Sequence, residues 1–114
     1  MDFKSLSPDE LERMIHRNSS LTIIDVREPK ELATFGFLQN SINIESKTIS
    51  RRLNELPSNK ETEIVVVCQT GARSINVCMR LMLEGYTNVY NLHGGMLKWM
   101  VSGKQLQRTV SIAS

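Results

Sequence analysis

Four consecutive β-branched residues, Ile64 to Val67, restrict the fold of this 114-residue chain more than any other feature. A strand with one solvated face alternates apolar and polar residues, whereas this run contains no polar residue. It therefore predicts a strand covered on both faces, as in parallel sheets that carry helices on each side. The segment "LTIIDV", Leu21 to Val26, is a second short run without alternation. Because such runs alternate with helical segments, the sequence predicts an α/β fold with a central parallel sheet flanked by helices on both faces.

Helical and extended segments follow one another along most of the chain. "LSPDEL" begins a helix, because Ser7 and Glu10 have the spacing of a capping box and Pro8 suits the first helical position. Further helices are predicted at "REPKELATF", "TISRRLNEL", "SINVCMRLMLEG" and "GGMLKWMVSG", and further strands at "SINI" and "NVYNL". Periodicity ends after Gly103. We therefore predict one domain over residues 1–102 and a flexible tail over residues 103–114.

Length and charge exclude several classes of function. A chain of 114 residues is expected to form a single domain. The net charge of +2 comes from Lys104 and Arg108 near the end, because basic and acidic residues balance in the rest of the chain. We therefore expect no nucleic-acid partner, and no apolar stretch is long enough to insert into a membrane. The first residues lack the pattern of a signal peptide, so a cytoplasmic location is predicted.

Both cysteines are expected to be free thiols, because cytosolic thiols are kept reduced. Cys78 falls on the apolar face of a predicted helix, together with Ile75, Leu81 and Met82. This placement favours packing in the core over a role as a resolving thiol.

Cys68 lies at the predicted carboxyl end of the central strand, which is where ligands bind in open parallel sheets. The loop that follows consists of Gln69, Thr70, Gly71, Ala72 and Arg73. It is so short that its backbone N–H groups must curl around the sulfur, which makes an anion-binding nest and favours a thiolate. Gly71 supplies conformational freedom, and Arg73 adds a permanent charge that can orient an oxyanion or steady the loop. The alternative is a small buried residue that merely ends a strand.

Three motifs together resemble a known family. "IIDVRE", "CQTGARS" and "NVYNLHGGMLKW" occur in the order and approximate spacing of a single-domain rhodanese, and the resemblance runs from about Leu6 to about Ser102. Cys68, Gly71 and Arg73 match the C-x-x-G-x-R active-site loop of that family position for position. The resemblance implies a rhodanese-like fold, with a central parallel sheet that usually has five strands.

The resemblance also implies a sulfurtransferase activity. In such proteins the cysteine takes sulfane sulfur from a small-molecule donor, such as thiosulfate or a persulfide, and holds it as a persulfide. It then passes the sulfur to a thiol, to cyanide or to a protein thiol acceptor. Neither a cofactor nor a metal ion is expected. A partner-binding or sulfur-sensing module with little turnover remains the alternative.

Loop length argues against a cysteine phosphatase. Those enzymes carry five residues between cysteine and arginine, whereas this chain has four, and Ser74 stands where their arginine would be. The smaller nest suits the terminal sulfur of a persulfide better than a phosphate ester.

The same resemblance implies roles for residues outside the loop. It implies that Asp25 and Arg27 brace the active-site loop through hydrogen bonds, although a charge at a strand end is often simply solvated. Gly94 and Gly95 match the family's double glycine, for which a positive φ or a close backbone approach is expected. The family often carries a stretch like G-H-I-P-G-A, where this chain has residues 36–41, "GFLQNS". This departure concerns the local turn and not the cysteine loop.

Overall fold

Five parallel strands form one sheet in the computed structural model, which describes residues 2–109. The strands are β1 (Lys4–Leu6), β2 (Thr22–Asp25), β3 (Ile42–Asn43), β4 (Ile64–Val67) and β5 (Val89–Leu92). Their order across the sheet is β1-β5-β4-β2-β3, so β4 lies at the centre. The predicted fold class is confirmed.

Four α-helices and two 3₁₀ helices connect the strands. They are α1 (Pro8–Arg17), α2 (Pro29–Phe35), α3 (Arg73–Leu83), α4 (Gly95–Val101) and the 3₁₀ helices Ser46–Arg51 and Leu53–Glu55. The predicted capping box starts α1: the Glu10 amide donates to Ser7 Oγ at 3.1 Å, and Glu10 Oε1 accepts from the Ser7 amide at 2.9 Å. Within residues 2–109, no helix is long and apolar enough to cross a membrane.

Alternation along β4 directs its side chains into two cores. Val65 and Val67 pack with residues of α1 and α4 on one face of the sheet. Ile64 and Val66 pack with residues of α3 on the other face. All four β4 side chains are fully buried, which explains why the run carries no polar residue. The prediction of helices on both faces is thereby confirmed.

One local prediction was wrong, and one strand was missed. The segment "TISRRLNEL" forms two 3₁₀ helices instead of one α-helix, because Arg52 between them adopts φ −121° and ψ 21°, outside the helical range. The edge strand β1 was not expected from the sequence. It has three residues, of which only Leu6 is buried, so its pattern is too short to indicate a strand.

Part of the segment after Gly103 is bonded to the domain. The Trp99 indole donates to the Gln105 carbonyl at 2.9 Å, and Lys104 Nζ lies 2.6 Å from an Asp9 carboxylate oxygen. Phe37 and Gln107 form an antiparallel bridge. Residues 104, 105 and 107 thus contact the domain, and the flexible tail over residues 103–114 stays a prediction. Residues 110–114 lie outside the described residues, and the domain boundary at residue 102 stays a prediction.

Candidate active site

Cys68 directly follows the central strand β4, and its thiol is completely buried. The Gly71 amide donates to Cys68 Sγ at 3.1 Å and the Ser74 amide donates at 3.4 Å. The loop therefore curls around the sulfur as the sequence predicts, and α3 begins at Arg73. Two fixed N–H dipoles directed at one sulfur atom stabilise negative charge there without reorganisation.

The start of α4 holds the loop in this conformation. The Met96 amide donates to the Cys68 carbonyl at 2.8 Å, and the Leu97 amide donates to the Gln69 carbonyl at 2.9 Å. These amides belong to the first turn of a helix, where N–H groups have no partner within the helix. They bind the carbonyls of Cys68 and Gln69, so the first two peptide groups of the loop are held in place by α4.

Gly95 is required for this contact. Its φ is +64°, and a Cβ built there would lie 2.5 Å from the Cys68 carbonyl oxygen and 2.6 Å from backbone atoms of Gln69. Gly71 has φ +93°, and a Cβ there would lie 3.2 Å from the Gly94 amide nitrogen. The loop and the double glycine thus approach each other too closely for side chains on the facing sides, which agrees with the close approach expected from the sequence.

Arg73 forms a bidentate ion pair with Glu31 of α2. Arg73 Nη1 and Nη2 donate to the two Glu31 carboxylate oxygens at 2.8 Å and 2.7 Å. The hydrogen bonds from Arg73 lower the pKa of Glu31 from 4.5 to about 2, and the pair raises the pKa of Arg73. The sequence predicts that Arg73 orients an anion or steadies the loop. The structure places its guanidinium on α2, and the sequence analysis did not identify Glu31.

Asp25 and Arg27 form a buried pair beside the loop. Both side chains are 0% exposed, and Arg27 Nη2 lies 2.8 Å from Asp25 Oδ2. Arg27 Nη1 donates to Gln69 Oε1 at 2.9 Å, and Nη2 also donates to the Gly36 carbonyl at 2.8 Å. The structure brings these residues together with the first loop side chain. Asp25 holds the guanidinium, and the guanidinium holds Gln69, so the contacts agree with the bracing role, which stays a prediction.

Ser74 and Asn91 add a buried polar pair that the sequence analysis missed. The Cys68 thiol lies 3.3 Å from Ser74 Oγ, and the Ser74 hydroxyl donates to Asn91 Oδ1. The Asn91 amide donates to the Gly71 carbonyl at 3.4 Å. The sequence offered one signal for this pair: Asn91 is a polar residue in the buried strand β5, which pairs with β4, and a buried polar side chain needs a hydrogen-bond partner. Ser74 therefore links the sulfur to the neighbouring strand.

The remaining candidate residues are Cys78, Thr70 and Ala72. Cys78 is buried, its thiol lies 3.6 Å from the Tyr90 carbonyl, and burial raises its pKa to about 12, as expected of a core residue. Thr70 and Ala72 are exposed on the outer side of the loop. Within residues 2–109, no group of three or more His, Cys, Asp or Glu side chains is placed to hold a metal ion.

The segment that departs from the family pattern forms a tight connection. Gly36 ends α2 with φ +86°, and a Cβ there would lie 2.8 Å from the Gln107 carbonyl oxygen. Asn40 has φ 65°, a conformation that asparagine tolerates better than most residues. The Gly36 carbonyl faces Arg27, so this segment contributes to the support of the loop through its backbone.

Comparison with known proteins gives a consistent assignment. The model of the rhodanese-like domain family matches residues 7–102. A sulfurtransferase of Allochromatium vinosum is 31% identical over 98 residues, which cover 86% of this chain and 89% of the relative. A putative sulfurtransferase of Bacillus subtilis is 35% identical over 99 residues, covering 87% of this chain and 92% of the relative. The crystal structure of a rhodanese-like domain protein from Staphylococcus aureus is 32% identical, with a TM-score of 0.81, and the match covers 95% of this chain and 100% of that one. By motif, fold and sequence, the chain belongs to the rhodanese-like domain family.

Proposed function

We propose that this protein is a sulfurtransferase in which Cys68 carries the transferred sulfur as a persulfide. The observation that carries the proposal is the pair of backbone amides, Gly71 and Ser74, directed at Cys68 Sγ. Family membership and the names of the relatives support sulfur transfer as the general class of activity.

The first half-reaction loads the cysteine. Cys68 thiolate attacks the sulfane sulfur of thiosulfate, the S–S bond of the donor breaks, and its electron pair leaves with sulfite. The product is the anion Cys68–S–S⁻, so the total charge is conserved. The Gly71 and Ser74 amides, which point at Sγ, are placed to stabilise the new anion. The bonds from α4 to the Cys68 and Gln69 carbonyls hold the loop in this conformation.

The second half-reaction unloads it. After protonation of the outer sulfur, an acceptor thiolate R–S⁻ attacks that sulfur, the S–S bond breaks, and its electron pair returns to Cys68 Sγ. The products are R–S–SH and the Cys68 thiolate. No oxidant or reductant is consumed, because the sulfur atom moves between two thiol groups at the same oxidation level.

A partner-binding module with little turnover is the second candidate, and one observation favours it. Cys68 is 0% exposed, so a donor reaches the sulfur only if the loop admits it. The two functions differ in one measurable property, which is whether Cys68 accumulates sulfur from a donor.

Intact-mass measurement after incubation with thiosulfate tests the proposal. We expect a gain of about 32 Da, one sulfur atom, that dithiothreitol removes. Cys68→Ser should show no gain, because a serine hydroxyl is a poor nucleophile without an adjacent base. Cys78→Ala is the matched control and should gain the same mass, because burial raises the pKa of Cys78 to about 12 and keeps it a thiol, which is not the nucleophilic form. A gain that persists in Cys68→Ser, or no gain in the wild type with thiosulfate or a persulfide donor, would contradict the proposal.

A further inference from the structure

A groove of about 290 Å³ lies beside the catalytic loop, between α3 and the 3₁₀ helix Ser46–Arg51. Its polar lining consists of Ser46, Lys47, Ser50, Arg73, Asn76 and Arg80. Ile49 and Val77 complete the lining and are almost fully buried, so they form an apolar floor. The groove therefore combines a small apolar base with polar and charged walls.

Helical spacing places these groups together. Arg73, Asn76 and Arg80 are three and four residues apart on α3, which puts them on one face of the helix. Lys47 and Ser50 are three residues apart, which puts them on one face of the 3₁₀ helix. The two faces are opposed across the groove.

The walls of the groove are cationic. Three positive side chains line it, and no carboxylate is among the described residues of its lining. Each cation does have an acidic neighbour outside the lining: Glu45 for Lys47, Glu31 for Arg73 and Glu84 for Arg80. Lys47 is the least constrained of the three, because its ammonium lies 3.5 Å from Glu45 and its side chain is 71% exposed. Among the described residues that line the groove, the charged side chains are therefore all positive.

The groove extends away from the sulfur site. Arg73 is both the last residue of the catalytic loop and the first wall residue of the groove. At the far end, Arg80 Nη1 donates to Ser50 Oγ at 3.1 Å and joins the two walls. Seven residues of α-helix separate Arg73 from Arg80, a length of about 10 Å. A molecule with its sulfur at the loop has room for a short tail along this path.

We propose that the groove binds the anionic tail of a small acceptor thiol, with Lys47 and Arg80 as the recognition groups. This inference rests on the proposed function and specifies the acceptor class of its second half-reaction. Both Nη atoms of Arg73 are bonded to Glu31. By contrast, Arg80 Nη1 is bonded, among the described residues, only to the neutral Ser50 hydroxyl, and the Lys47 side chain is 71% exposed. The charge of the acceptor is therefore recognised along the groove and not at the sulfur. The thiolate attacks the outer sulfur of the Cys68 persulfide, and the carboxylates of the same molecule contact the groove.

A charge series of small thiols tests the groove. Cys68 is first loaded with sulfur, and transfer is then measured with 8-mercaptooctanoate, whose chain is long enough to place its carboxylate in the groove while its sulfur lies at the loop, and with neutral 8-mercapto-1-octanol. At low ionic strength the ratio of kcat/KM for the anionic over the neutral thiol should be about tenfold higher in the wild type than in Lys47→Glu. High salt should reduce this difference, because it screens exposed charges. Differences in intrinsic thiol reactivity cancel from this comparison, because the wild type and the variant are assayed with the same two thiols.

Two further variants make the test specific. Arg80→Gln should lower the same ratio without creating an acidic residue. Arg13→Glu is the matched control, because it reverses an exposed charge on α1, which packs on the opposite face of the sheet, and its ratio should equal that of the wild type. Equal ratios in the wild type, Lys47→Glu and Arg80→Gln would overturn the groove while the proposed function stands. Failure of every thiol to unload the persulfide would overturn the acceptor step, and the groove with it.

Discussion

Glu31→Gln is expected to lower the KM for thiosulfate. Arg73 is the one charged residue among Gln69 to Arg73, and both of its terminal nitrogens are bonded to Glu31. The carboxylate therefore cancels the charge that would draw a dianionic donor toward the loop. A donor that gains nothing from Arg73 binds weakly, so the wild-type KM for thiosulfate should be millimolar or higher.

The magnitude follows from the charge that the substitution removes. Two unit charges about 6 Å apart interact by roughly 0.7 kcal/mol in water and by about 3 kcal/mol near a protein surface. The Arg73 and Glu31 side chains are 40% and 20% exposed, so the value lies toward the aqueous limit. A dianion doubles the interaction, and loss of the repulsion from Glu31 is then worth about 1.4 kcal/mol. This corresponds to a KM about tenfold lower.

Saturation kinetics with thiosulfate, at low and high ionic strength, measure the effect. Glutamine is the appropriate replacement, because its carbonyl oxygen can still accept the hydrogen bond that the Glu28 amide donates to Glu31 at 3.0 Å. Glu61→Gln is the matched control: it removes the same charge from an exposed position just before β4, near the amino end of the strand whose carboxyl end leads to Cys68. An unchanged KM in Glu31→Gln, or a lower kcat at an unchanged KM, would refute the electrostatic reasoning. The second result would indicate that Glu31 acts by holding Arg73 in place.

The pKa of Glu31 fixes the pH dependence of this effect. Hydrogen bonds from Arg73 lower that pKa from 4.5 to about 2, so the carboxylate stays ionised at neutral pH and the KM difference should be constant between pH 5 and pH 9. A lowered pKa in the folded state stabilises the protein above pH 4.5, and this contribution is lost as the pH falls toward 2. The difference in Tm between wild type and Glu31→Gln should shrink over that range. A Tm difference that stays the same as the pH falls toward 2 would contradict the lowered pKa of Glu31.

Two further predictions concern the support of the loop. Gly95→Ala should lower the free energy of unfolding by more than about 3 kcal/mol and abolish sulfur loading, because the new Cβ overlaps the Cys68 carbonyl; Gly85→Ala, which also has positive φ but open space, should cost about 1 kcal/mol. Equal losses of unfolding free energy in the two variants, measured by urea denaturation, would show that the positive φ alone, and not the close contact, causes the loss. Ser74→Ala should cost about 1–3 kcal/mol, because buried Asn91 Oδ1 loses its donor, and a loss below 0.5 kcal/mol would show that the pair is not a structural element.

The sequence predicted the sheet and the cysteine loop because both depend on local patterns. The run Ile64 to Val67 consists of apolar residues only, which indicates burial on both faces. The loop Cys68 to Arg73 is so short that it turns back beside the sulfur, where the Gly71 amide donates to Sγ. Strand β1 could not be predicted in the same way. Its three residues are ordered by pairing with β5, and that pairing leaves no periodicity in so short a segment.

Side-chain partners from distant elements were beyond the reach of such patterns. Glu31 appears in the sequence as the third residue of a helix start, where an acidic side chain needs no further explanation. Its contact with Arg73 depends on how α2 packs beside the loop. Asn91 is similar, since only the register of β5 with β4 shows that it reaches Ser74.

The charges around Cys68 separate the stabilisation of the persulfide, at the sulfur, from the recognition of a charged ligand, in the groove. At the sulfur, Glu31 neutralises Arg73, and Asp25 neutralises Arg27, so the stabilisation of a persulfide anion falls to the Gly71 and Ser74 amides. Backbone amides at fixed positions stabilise one negative charge at one atom, but they add little long-range attraction for a dianion. A donor whose reacting end carries less charge than thiosulfate, such as a persulfide, therefore suits the loop better. Negative charge on a ligand is then recognised away from the reacting sulfur, which is the arrangement that an anionic tail in the neighbouring groove provides.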